Sequence, residues 1–113
     1  MATISAGDDV FTLVNVFPVE PEDQQELFRV LTDATAIIKR MPGYISANVH
    51  LSRDGKYVIN YAQWRSEADF RAMHGKPEVQ EHFDACRRLS KPQPIFCKAA
   101  YTHDAESDVE RWA

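Results

Sequence analysis

Asn60 and Trp64 stand four residues apart in "GKYVINYAQWRSEADF", residues 55–70. On a strand that spacing sends an amide and an indole to one face, with Val58 and Ala62 in the same row. An amide carries donors and an acceptor that burial does not normally leave unpaired. Alternation in "VFTLVNVFPV", residues 10–19, sets Asn15 on a face with Phe11, Leu13 and Phe17. His50 lies just before a turn, and its imidazole is the side chain that titrates nearest neutral pH. Amide donors aimed into an apolar space can hold an oxyanion, and an imidazole can accept a proton. Asn15, His50, Asn60 and Trp64 are therefore the chemical candidates. Around them the pattern gathers Phe11, Leu13, Phe17, Val58 and Phe70, with Tyr44 and Asn48 from the hairpin and Met73 and Phe83 from the helices. An apolar, aromatic pocket with sparse polar groups is the usual form of a small-molecule site.

Other chemistry finds little support. There is no His-x-x-x-His, no Cys-x-x-Cys and no cluster of carboxylates at ligand spacing, so no metal is expected. The glycines fall at 7, 43, 55 and 75 and form neither a phosphate loop nor a dinucleotide fingerprint. Net charge is −4 with no basic run, which disfavours nucleic acid. No apolar stretch approaches the ~20 residues of a membrane span. "MATISAGDDVF" lacks the basic and apolar segments of a signal peptide, so the cytoplasm is the expected compartment. Cys86 and Cys97 are expected reduced and buried. His74 and His103 read as loop and strand-end residues. Arg87 and Arg88 could steady an anion, or form a solvated helix face.

The elements that must position these groups follow in order. Residues 1–9 are polar and expected to be flexible. Residues 10–19 form a strand covered on both faces. Pro21 opens a helix with Glu22 and Asp23 in its first turn, and "MPGY" (41–44) stops it. "YISANVHLSRDGKYVINYAQW" (44–64) is a hairpin. "RDG" reads as a three-residue loop, a type I turn closed by a glycine in αL. That register pairs Ser52 with Lys56, His50 with Val58 and Asn48 with Asn60. A two-residue Asp-Gly turn would turn His50 to the opposite face. Ser66 caps the next helix, with Asp69 in a capping-box position. "HGKP" interrupts the helical region, which resumes over about 78–89. "KPQP" (91–94) links to a last strand, "IFCKAAYTH". The tail 104–113 is polar apart from Val109 and Trp112.

The order β-α-β-β-α-β over residues 10–103 is the ferredoxin-like pattern: an α+β domain, an antiparallel four-stranded sheet with helices on one face. The second face, with Val14, Val16, Val49, Ile59 and Tyr61, would be bare, which calls for a homodimer with sheets face to face, a dimeric α+β barrel.

The segments "FTLVNVF", "PGYISANVH", "VINYAQWRSEADF" and "PEVQEHF" resemble the antibiotic biosynthesis monooxygenase family. Within it the chain is most similar to the quinone-forming oxygenases of aromatic polyketide pathways, of the tetracenomycin type. The resemblance implies oxidation of a polycyclic phenol or anthrone to a quinone by molecular oxygen, with no flavin or metal cofactor. It implies that Asn60 and Trp64 are the working amide and indole, and that Asn15 is a first-strand amide of the wider family. Phe70 stands where some members have a proton-transferring tyrosine, so either His50, the candidate base, or a water serves here, or the activity differs. A haem-degrading oxygenase on the same fold, and a non-enzymatic dimeric ligand-binding module, are the alternatives.

Overall fold

The computed structural model describes residues 2–105; Val109 and Trp112 lie outside them. β1 (Phe11–Pro18) leads through a short 3-10 turn at Pro21–Asp23 into α1 (Gln24–Ile38). The hairpin strands β2 (Tyr44–Leu51) and β3 (Tyr57–Trp64) follow, then α2 (Glu67–His74), α3 (Pro77–Leu89) and β4 (Gln93–Cys97). The sheet order is β2-β3-β1-β4 with every neighbouring pair antiparallel. This is the expected ferredoxin-like α+β arrangement. No described helix is long and apolar enough to cross a membrane.

Local chemistry explains the boundaries. Pro21 supplies a fixed φ where no amide donor is needed, and Pro77 does the same for α3. Ser66 Oγ accepts the Asp69 N–H at 3.1 Å to cap α2. The reciprocal half differs from a capping box, because the Asp69 carboxylate accepts the Ser66 hydroxyl instead of a backbone N–H. Gly43 turns the chain out of α1 with φ +83°, and a Cβ there would collide with the Asp69 side chain. β4 begins at Gln93 and ends at Cys97, earlier at both ends than the alternation of "IFCKAAYTH" implies. Pro94 is tolerated because β4 is an edge strand.

The helix-side face of β1 and β3 has the expected rows. Phe11 lies opposite Trp64, Leu13 opposite Ala62, Asn15 opposite Asn60 and Phe17 opposite Val58. Phe17, Leu27, Leu31, Val58 and Cys86 form one core cluster. Trp64, Met73 and Val79 form another, flanked by Phe70 and Phe83.

The β2–β3 register is one residue away from expectation. Leu51 faces Val58, His50 faces Ile59 and Asn48 faces Tyr61. This is the register of an even-numbered loop, and residues 53–56 form it. Polar side chains fix the choice. Asp54 accepts the Lys56 N–H at 2.9 Å and the Ser52 hydroxyl at 2.7 Å, which hold its carboxyl below the usual range. Ser52 Oγ accepts the Tyr57 N–H, and the buried Gln24 amide donates to Ser52 O and Tyr57 O at 3.0 Å each. The shift reverses β2. Val49 joins the core side, while Asn48 and His50 move to the far face. There Asn48 Nδ2 donates to Tyr61 O and Ser46 Oγ. Gln63 Nε2 reaches Thr3 O on the same side, pinning the start of the chain to the sheet.

Candidate active site

The sheet's helix side and the helices enclose a cavity of about 780 Å³. Ligand pockets commonly span ~300–1,000 Å³, so several fused rings fit. Asn15, Asn60 and Trp64 line it, as do Leu13, Phe17 and Tyr44. Phe70, Met73 and Phe83 close it from the helices. Phe11 supports the wall from behind, 5.5 Å from Phe70 and 5.3 Å from Phe96 between ring centroids. Val58 is fully buried in the neighbouring core and takes no part in the lining. His50 and Asn48 are excluded by the register. His50 is exposed, with Nδ1 3.2 Å from Asn48 O, and cannot act as the base in this cavity.

The amides are set by the ladder. Asn60 Oδ1 accepts the Asn48 N–H at 3.2 Å. A backbone donor thus fixes the oxygen end, and Nδ2 remains as a donor for the cavity. Asn15, directly opposite, has the reverse condition: its Oδ1 is buried and lacks a partner. Leaving such an acceptor unpaired costs ~1–3 kcal/mol, which a ligand hydroxyl would recover. One spot of an apolar cavity therefore offers both a donor and a hungry acceptor.

The aromatic wall is continuous. Trp64 is 2% exposed and meets Tyr44 and Phe70 edge-on, at 5.7 and 6.2 Å. Phe70 also lies 5.8 Å from Phe96. Such faces suit a flat aromatic ligand. Burial raises the Tyr44 phenol above its ordinary pKa, against a backbone hydrogen bond from Ala47. Burial likewise pushes the Cys86 thiol up to about 11, with Arg87 acting the other way. Cys97, expected buried, is exposed on β4, because no described element packs over the edge strand on that face.

Several lining groups lie outside the site read from the sequence, and four of them bear on its chemistry. His74 sits four residues after Phe70, so the helical repeat would have placed it on the same face. Arg71 and Arg87 also line the cavity; each pairs with an acid on its own helix, Glu67 at 2.7 Å and Asp84 at 3.5 Å. Phe96 comes from β4, whose start was read as linker. Among the described residues no three His, Cys, Asp or Glu side chains come together as a metal site.

The profile of the antibiotic biosynthesis monooxygenase family matches residues 10–85. The tetracenomycin-F1 monooxygenase of Streptomyces glaucescens is 59% identical over 108 residues, 95% of this chain and 96% of that protein. Two solved structures share the fold closely. One is SnoaB, a cofactor-independent oxygenase from Streptomyces nogalater, at 28% identity, TM-score 0.73, covering 84% of this chain and 97% of that one. The other is the ActVA-Orf6 monooxygenase of Streptomyces coelicolor with nanaomycin D bound, at 34% identity, TM-score 0.75, covering 83% and 90%. With the fold, the amide pair and the aromatic cavity in place, the chain belongs to the antibiotic biosynthesis monooxygenase family and is a monooxygenase.

Proposed function

We propose that this monooxygenase converts a polycyclic phenolic ketone of the anthrone or naphthacenone type into a quinone, using molecular oxygen and no flavin or metal. One observation carries the reading: an aromatic-walled cavity whose polar spot pairs the free donors of Asn60 with the orphan acceptor of Asn15. A phenolic hydroxyl would satisfy Asn15 Oδ1, and a neighbouring ketone oxygen would take the Asn60 N–H. The relatives support this. One is named for tetracenomycin F1, one is described as cofactor-independent, and one holds nanaomycin D.

The chemistry follows from the substrate. Loss of the benzylic proton beside an aryl ketone gives an aromatic enolate. Asn60 Nδ2 holds the developing oxyanion, a group worth ~10²–10³ in rate at comparable sites. The electron-rich carbon passes one electron to oxygen, and the two radicals combine to a peroxide at that carbon. Cleavage of the O–O bond with loss of the second proton leaves a carbonyl, and the other oxygen atom departs in water. Trp64 and the phenylalanines hold the ring plane and keep water away. The substrate is the reductant throughout.

A homodimer completes this reading. Val14, Val16, Ile59 and Tyr61 share the sheet face that no described helix covers, and Ile95 there is 52% exposed. A second copy, sheet against sheet, would bury them. The cytoplasm suits two free thiols.

The test is incubation of the protein with anthrone, emodinanthrone and a naphthacenone, with and without oxygen, following quinone absorbance and oxygen uptake. Turnover should need oxygen but no added metal or flavin, and one atom of labelled oxygen should enter the quinone. Asn60→Ala should lower kcat by ~10²–10³, and Trp64→Phe should lower it less, with the fold unchanged by circular dichroism. Equal rates in both variants would remove these residues from the site.

A further inference from the structure

We propose that His74 is the general base that removes the substrate's C–H proton, a role resting on the oxygenase reading above. With His50 on the far face and Phe70 lacking a hydroxyl, the cavity needs another proton acceptor. Among the described residues, the titratable side chains lining it are Tyr44, Arg71, His74, Cys86 and Arg87, with no Asp or Glu. A guanidinium does not give up its proton. Burial keeps the Tyr44 phenol and the Cys86 thiol protonated at neutral pH, the latter up to about 11. Among the described lining residues that leaves the His74 imidazole as the proton acceptor.

The geometry suits that task. His74 ends α2, one helical turn beyond Phe70. Its ring stacks on Phe83 of α3 at 4.8 Å and 26°, and lies 5.8 Å from Phe70. Two uncharged rings thus fix its plane, while Gln80 of α3 holds its backbone carbonyl. The charged groups bordering the same space are Arg71 on its own helix and Arg87 on α3. Both can face the enolate once the proton has left. His74 is solvent-exposed as well as cavity-lining, so it can exchange protons with water between turnovers.

The proton balance closes on one residue. Neutral His74 takes the first C–H proton as the enolate forms. After oxygen adds, the imidazolium returns that proton to the peroxide anion, giving a hydroperoxide. The ring then takes the remaining proton on that carbon while the O–O electron pair leaves as hydroxide. Hydroxide receives the proton from the imidazolium and departs as water.

The measurement is kcat and KM for anthrone oxidation from about pH 5 to about pH 9, with the uncatalysed rate subtracted. Wild type should lose kcat on the acid side, where the base is protonated. His74→Gln should lose ~10²–10⁴ in kcat, little in KM, and the acid limb altogether. His74→Ala should regain rate when imidazole is added. A wild-type rate and limb in His74→Gln, or an acid limb persisting in its residual activity without imidazole rescue of His74→Ala, overturns the assignment alone. Wild type that never turns over any of the ketones overturns the oxygenase reading together with it.

Discussion

Asn15 Oδ1 and the Cys86 thiol are both buried at the cavity, and each carries a measurable consequence. The unpaired acceptor is tolerable if a substrate hydroxyl supplies its donor. The thiol is a case of linkage. Its folded pKa is raised to about 11 from 9.0 by burial. Below pH 9 the thiol is protonated in both states, and its contribution to stability is fully present. As pH rises from 9 towards 11 the unfolded thiol ionises first, and that stability is lost. The loss amounts to at most about 3 kcal/mol. Urea midpoints for wild type should therefore fall more steeply across this alkaline window than those of Cys86→Ala. Parallel slopes for the two proteins would mean that the thiol is not shielded as the packing indicates.

At the scale of elements, the β2–β3 hairpin decides the composition of the site. Its register rests on polar contacts, with Gln24 reaching from the start of α1 to both Ser52 O and Tyr57 O. Gln24→Ala would leave those carbonyls without this donor and should destabilise the protein by ~1–3 kcal/mol. The matching readout is faster amide exchange at the turn end of the hairpin than at its Tyr44 end. Unaltered stability and exchange would show that Asp54 and Ser52 suffice to set the register. The same hairpin orients Asn60, because the Asn48 N–H that holds Oδ1 is aligned only in this pairing.

At the largest scale, the sheet has one face under helices and one that no described helix covers. Val16 lies half-buried near the middle of the uncovered face, and β4 has five exposed residues at its edge. Sedimentation of the wild type should give a dimer, and Val16→Lys should shift it towards monomer, because a charge cannot be buried unpaired between two sheets. Wild-type monomer, or a Val16→Lys dimer of unchanged strength, would rule out sheet-to-sheet pairing.

How much of this was legible in the sequence differs from strand to strand. Alternation in β1 and β3 grouped Leu13, Asn15 and Phe17 in one row and Asn60 and Trp64 in another, and the aromatic and amide content of those rows marked the site. Proline, glycine and Ser66 marked the helix limits, and together these signals determined the β-α-β-β-α-β order. β2 alternates as well, with Ala47, Val49 and Leu51 on an apolar side and Ser46, Asn48 and His50 on a polar one, and that pattern agrees with the observed facing. A three-residue loop reverses that facing, because one residue of register turns every side chain over. Ser52 and Asp54 support the observed register within the loop, and Gln24 adds contacts that exist only after α1 has packed on the hairpin. Local periodicity thus determined the rows of each strand and, through the Phe70–His74 repeat, the face of the imidazole; only the tertiary structure brought Asn15, Asn60 and His74 around one cavity, because the sheet ladder and the packing of the helices join segments distant in sequence.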